Sequence, residues 1–197
     1  VSRDSETFSS ELGGTFIPDQ SDEALAQTQL TILNMDPPRH HRYRRLVSRG
    51  FTPRVIGRLI DDIGHRAERV IDDVASRGEC EFVSDVAAQV PVQMICEMIG
   101  LESDQWPRLV ELSNQLIGSF DDPDYQVEAG QEMAAAMEVY ALCDAIAADR
   151  RENPRDDIMT ALVNAEIDGE RLDDMDLNLF FVTLVVAGNE TTRNLIN

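Results

Sequence analysis

Apolar residues recur along this chain with the period of an α-helix, and nothing else in the sequence constrains its fold as strongly. Between Pro53 and Arg77 they fall at Val55, Leu59, Ile63, Ala67, Val70 and Val74. Steps of four and three residues put all six on one helix face. Gly50, Pro53, Gly78, Gly100 and Pro154 punctuate the chain between such stretches. The pattern predicts helices over about 22–29, 36–48, 53–77, 84–99, 103–117, 126–151 and 156–165. On the longest, Met133, Met137, Tyr140 and Ile146 are expected on or near one face. Asp36, ahead of Pro37-Pro38, is read as a cap, and Glu81-Phe82-Val83 as a short extended entry. Asp168-Gly169 reads as a turn, and Asp173, with Asp176 three residues on, opens a last helix that runs to the end of the chain. There is no βαβ alternation and no glycine-rich phosphate loop in the sequence, which argues against nucleotide-dependent enzymes. The expected fold class is mainly α, in a single domain covering 1–197.

Charge narrows the partners. The formal net charge is −20, which disfavours nucleic acid and anionic membranes. Residues 39–58 run against it, with Arg39, Arg42, Arg44, Arg45, Arg49, Arg54 and Arg58 and no acid, so the rest of the chain carries −27. A basic island in an acidic chain either meets an anionic partner or pairs with acids elsewhere in the fold. The most apolar run, Leu177 to Ala187, is about half the ~20 residues that a membrane helix needs, so a buried core helix and no membrane span are expected. Cys80, Cys96 and Cys143 lie far apart with no metal-ligand spacing. No metal site is expected among them; Cys96 and Cys143 are expected in the core, and the chain in a reducing cytoplasm. With no initiator Met and no stop signal after the last helix, the chain reads as truncated at both ends.

Two short stretches carry chemistry. In His40-His41-Arg42-Tyr43-Arg44, His40 and Arg44 share a helix face as i and i+4. Together they can grip a carboxylate, although such a pair on a helix surface is also commonplace. In Ala187-Gly188-Asn189-Glu190-Thr191-Thr192, a Gly, an acid and two hydroxyl residues follow the apolar run. A threonine there can bond back to the carbonyl four residues earlier and bend the helix. A bend or bulge with a carboxylate and a hydroxyl beside it suits a functional site; a helix that merely turns polar toward its end is the plainer alternative.

Taken together, the two stretches resemble the cytochrome P-450 family, the haem-thiolate monooxygenases. Asp36-Pro37-Pro38-Arg39-His40 through Arg45-Leu46-Val47, then Phe51-Thr52-Pro53-Arg54, is similar to that family's C helix and the loop after it. Ala187 to Thr192 resembles its central I helix, and Asp157 to Thr160 and Ile167 to Leu172 resemble segments just before that helix. The resemblance implies a cytochrome P-450 fold, amino-terminal half through most of the I helix, with haem as cofactor. It implies that His40 and Arg44 contact a haem propionate, and that Ala187 and Gly188 lie over the distal face where a small residue leaves room for dioxygen. Thr191 is implied to hydrogen-bond the oxygen at the iron, and Glu190 to help relay protons to it. The family's Glu-x-x-Arg motif and its glycine-rich cysteine loop do not occur in the sequence. None of the three cysteines is therefore assigned as the iron ligand. The resemblance implies an axial cysteine beyond Asn197, and the fragment alone is expected to be inactive.

Val185 to Asn194 and Asp122-Pro123-Asp124-Tyr125 are similar to bacterial members that hydroxylate terminal carbons of sterol side chains or long alkyl chains. That similarity implies a hydrophobic substrate in a pocket lined by Leu112, Ile117, Leu184 and Val185. It also implies O2 as co-substrate and electrons from NAD(P)H through ferredoxin and ferredoxin reductase, with the basic island docking the acidic ferredoxin. The competing reading is a non-catalytic helical binding module that uses 39–58 to hold an anionic partner.

Overall fold

The computed structural model describes residues 4–13, 21–117, 130–167 and 169–197, without the side chains of Arg54, Val55, Arg58, Leu59, Asp61, Ile117, Ile167 and Glu190. Asp122-Pro123-Asp124-Tyr125 and Asp168 lie outside the described residues. Eight α-helices follow in chain order among those described: α1 (Asp22–Thr28), α2 (Arg39–Val47), α3 (Pro53–Ala75), α4 (Gln89–Met98), α5 (Trp106–Ile117), α6 (Gln131–Glu152), α7 (Ile158–Val163) and α8 (Asp174–Ile196). Strands β1 (Glu166–Ile167) and β2 (Glu170–Arg171) pair antiparallel just ahead of α8, with Gly169 at φ 82° between them. A two-stranded hairpin thus stands where a bare turn is expected from sequence.

The core lies where α8 crosses α4, α5 and α6. Along α8, Leu177, Phe181 and Val185 are buried at four-residue steps, with Phe181 only 1% exposed. Opposite them α6 buries Ala135, Val139, Cys143 and Ala147, and these small side chains let its backbone come close to its neighbours. This corrects the face expected for α6. Ile146 is buried, but Met133 and Met137 point outward at 68% and 61% exposed. On α3, Val70 is buried while Ile63 is exposed, so the six-residue stripe is covered only in part among the described residues.

Local signals set the helix ends. Asp173 and Asp176 form a reciprocal capping box at the start of α8, with the Asp176 N–H donating to the Asp173 carboxylate at 2.7 Å. At the other end α8 continues to Ile196, beside the last residue of the sequence. The Asn197 N–H donates to the Arg193 carbonyl at 3.1 Å, continuing the helical bonding. Asp157 caps α7 by accepting from the Thr160 N–H at 2.8 Å. Asp36 does not cap α2; its carboxylate accepts instead from the Ser9 hydroxyl at 2.5 Å and the Ser10 N–H at 3.1 Å, tying residues 4–13 to the α2 entry. Helical geometry begins already at Phe82 and passes through a π-helical turn, Val83–Ala87, in place of the extended entry expected there.

A buried charge fastens one corner. Arg150 on α6 is 2% exposed; its guanidinium donates to the Asp157 carboxylate at 2.5 Å and to the Gly100 carbonyl at 2.8 Å. Gly100 has φ 73°, and a Cβ there would run into the Asp157 carboxylate and the Arg150 guanidinium. Glycine therefore serves both the backbone conformation and the close approach.

Candidate functional site

α2 presents His40, His41 and Arg44 to a cavity of about 790 Å³. Phe8, Ile32 and Met35 make its apolar wall, and Asp36 sits at the α2 entry. The i, i+4 spacing of His40 and Arg44 thus does what helix geometry requires: both reach one cavity. The hydrogen bond from Ser9, foremost among its partners, holds the Asp36 carboxyl below the usual carboxylate range. The cavity accordingly pairs cationic or titratable donors with apolar walls, a combination that suits a flat, largely apolar group bearing carboxylates.

Tyr43 anchors α2 from the other side. It is buried, and its hydroxyl donates to Asp176, the same residue that closes the α8 capping box. Burial first, and then this hydrogen bond, push the Tyr43 phenol up to about 12. The Arg39 and Arg42 guanidinium carbons lie 5.6 and 5.8 Å from the Tyr43 ring centre. Arg39 also donates to the Gln29 carbonyl at 3.1 Å, and Arg42 pairs with Glu170 at 3.1 Å. Part of the basic island therefore works inside the fold. The sequence reading gave Tyr43 no role. Its signal was available, as a large aromatic between His40 and Arg44 that falls on neither of their positions.

The second stretch lies on α8. The helix runs as α-helix through Ala187 to Thr192 with no π-type bulge among the described residues. The back-bond is present: the Thr191 hydroxyl donates to the Ala187 carbonyl at 2.5 Å. Ala187 and Thr191 are exposed, and the Glu190 side chain is outside the description. Gly188 faces α4. A Cβ built on it would lie 2.9 Å from Ile95 Cδ1, so the missing side chain lets α8 lie close against α4. No α8 residue is among those that line the α2 cavity. Of the expected pocket residues, Leu112 and Val185 are packed in the core at 1% and 2% exposed, and Leu184 is half-buried against it. The Ile117 side chain is outside the description.

Two buried asparagines complete α8. Asn178 donates to Asp144 of α6 at 2.9 Å, and Asn189 to the Ser113 hydroxyl of α5 at 3.2 Å. The sequence reading missed both, although Asn189 continues the four-residue series Phe181, Val185 and so announces itself as a polar group on a buried stripe. Cys96 and Cys143 are buried as expected, and burial pushes both thiols up to about 12; Cys80 is exposed.

The steroid C26-monooxygenase of Mycolicibacterium smegmatis is 40% identical over 200 residues, covering all of this chain and 46% of that protein. The methyl-branched lipid omega-hydroxylase of Mycobacterium tuberculosis is 39% identical over 199 residues, again across the whole chain and 46% of the relative. Among solved structures, a Mycobacterium marinum cytochrome P-450 in complex with pseudoionone superposes with a TM-score of 0.80 at 36% identity, over 94% of this chain and 46% of that one. The chain belongs to the cytochrome P-450 family. No family model matches it. This cytochrome P-450 chain spans about half the length of the curated relatives it matches. Its mainly α architecture, with the central helix of the fold on α8, agrees with the expectation from sequence. No described helix is long and apolar enough to cross a membrane, and no group of three metal-ligating side chains occurs among the described residues.

Proposed function

We propose that this cytochrome P-450 acts as a haem-dependent monooxygenase that inserts one atom of O2 into a hydrophobic substrate. The observation that carries the reading is the α2 cavity, where His40 and Arg44 stand together against apolar walls. These residues fit haem: a guanidinium and an imidazole match propionates, and Phe8, Ile32 and Met35 match the macrocycle edge. Haem, when bound, supplies the activation of dioxygen. The protein supplies binding, orientation and protons. His40 and Arg44 hold the propionates. At rest the Thr191 hydroxyl donates to the Ala187 carbonyl; in a relay it would give that proton up toward dioxygen and take one from Glu190, remaining a hydroxyl. Ala187, exposed on α8, would leave room beside a bound haem, while Gly188 lets α8 lie close against α4. Leu184, packed against the buried Leu112 and Val185, together with Ile117 would make the substrate side apolar and restrain water from draining protons to side products. In this reading none of the three cysteines would hold the haem iron: Cys96 and Cys143 are buried core thiols pushed up to about 12, and Cys80 is exposed.

The substrate class follows the relatives, and a sterol side chain or a methyl-branched alkyl chain is oxidised at its terminal carbon. Electrons come from NAD(P)H through a ferredoxin reductase and an acidic ferredoxin, drawn to residues 39–58 by opposite charge in the cytoplasm. The test is reconstitution of the full-length protein with haem, ferredoxin, reductase and NAD(P)H. A sterol with an aliphatic side chain and a methyl-branched fatty acid are each offered, and terminal hydroxylation is followed by mass spectrometry. Wild-type product that falls while peroxide rises in Thr191→Ala is the expected result. Absence of NAD(P)H-dependent product from either substrate with correctly loaded haem refutes the reading.

A further inference from the structure

Asn189 is the polar member of an otherwise apolar stripe. Phe181, Val185 and Asn189 follow one another at four-residue steps along α8, and all three are nearly or fully buried, Asn189 at 1% exposed. The Asn189 side-chain amide donates to the Ser113 hydroxyl of α5 at 3.2 Å, and Ser113 is itself 1% exposed. The amide's other end, Oδ1, has no partner among the described residues. An apolar residue would bury there with no such cost. A buried asparagine in a helix seam is known for fixing helix register, because other registers leave its amide unpaired; Asn178, bonded to Asp144 of α6, does the same toward a different helix.

The helical wheel says what this register controls. Successive residues are rotated by about 100°, so two residues make about 200°. Ala187 and Thr191, each two residues from Asn189, therefore lie almost opposite it, and both are exposed while Asn189 is buried. A slip of one residue would carry Thr191 a quarter-turn or more away from its present direction. We infer that the Asn189–Ser113 hydrogen bond sets the rotation of α8 against α5, and that Asn189 and Ser113 are positioning residues for Thr191. This rests on the proposed monooxygenase function only for what Thr191 does, not for the register itself.

The experiment uses the full-length haem-loaded protein, with hydrogen–deuterium exchange over residues 185–193 beside product and peroxide per NAD(P)H. Asn189→Leu combined with Ser113→Ala removes both polar groups, so melting temperature and haem content are expected to hold. Amide exchange over 185–193 is expected to rise by about fivefold, the factor that one net hydrogen bond is worth. Peroxide per NAD(P)H is expected to rise with it. Ser113→Ala alone serves if the double variant does not fold, with faster exchange in the same segment. Ser113→Thr keeps the hydroxyl and should retain wild-type exchange and partition. Unchanged exchange in both Ser113→Ala and the double variant overturns the register role. Faster exchange with unchanged peroxide partition overturns the link to Thr191. If the wild type gives no NAD(P)H-dependent product, the monooxygenase reading fails, and exchange still decides whether Asn189 and Ser113 set the register.

Discussion

Gly188 offers a test that separates two uses of one small residue: room for dioxygen, or close approach of two helices. Replacing Gly by Ala in a helix interior stabilises by about 1 kcal/mol when nothing is in the way. Here something is in the way. The new Cβ would lie 2.9 Å from Ile95 Cδ1 and 3.4 Å from Ile95 Cγ1, and Ile95 is 5% exposed, so its end has little space to retreat. Overpacking of this kind costs about 1–3 kcal/mol, which leaves Gly188→Ala between about neutral and 2 kcal/mol destabilising. Ile95→Val removes the Cδ1 methyl responsible for the shorter contact and alone costs about 0.5–1.5 kcal/mol. In the double variant the alanine methyl enters the space that Cδ1 leaves. The two changes should therefore be less damaging together than their sum, with a coupling of about 1–2 kcal/mol, inside the range for residues in contact. Chemical denaturation of the four full-length proteins, followed by far-UV circular dichroism, measures it. Additivity within about 0.3–0.5 kcal/mol would falsify the α4 contact as the reason for Gly188.

Removing a partner from the buried Arg150 corner should be severe. Asp157→Ala is expected to cost about 3–5 kcal/mol by denaturation, and Asp157→Asn less, because the amide can still cap Thr160. His40→Ala and Arg44→Ala should each speed haem loss to apomyoglobin, consistent with about 1.5–3 kcal/mol per charged hydrogen bond, and Arg44→Lys should recover only part. Haem-loss rates equal to wild type in both alanine variants would remove the propionate role. Tyr43 binds its proton more tightly in the fold than a free phenol does. Its stabilisation is thus full below about pH 10 and lost as pH rises through about 12, and Tyr43→Phe should flatten that part of the stability curve. At pH 8 a bulky thiol reagent should label Cys80 quickly and leave Cys96 and Cys143 until the protein unfolds.

Where one physical effect dominates, the sequence is easy to read. The start of α8 at Asp173 and Asp176 and the shared face of His40 and Arg44 follow from spacing alone and stand in the structure. The errors arise where two effects compete. Met133 and Met137 have the right period and hydrophobicity for a core face, but α6 lies so close to its neighbours that alanines, Val139 and Cys143 occupy that face instead. Asp36 has the chemistry of a cap, yet a hydroxyl and an N–H from Ser9 and Ser10, 27 and 26 residues away, claim its carboxylate. Asn189, Ser113, Asn178 and Asp144 escaped because their partners lie on other helices, and periodicity reports only which face is buried.

The Tyr43–Asp176 contact has a consequence for the order of events during synthesis. The two residues are 133 positions apart, and the Arg42–Glu170 pair spans 128. At roughly 5–20 residues per second, Asp176 leaves the ribosome about 7–27 s after Tyr43. Through that interval α2 has neither its phenolic anchor nor its hairpin ion pair, so the wall that carries His40 and Arg44 is not yet held in place. In the proposed reading, haem supplied early would meet a nascent chain unable to orient it, so capture at His40 and Arg44 is expected to wait at least for the start of α8.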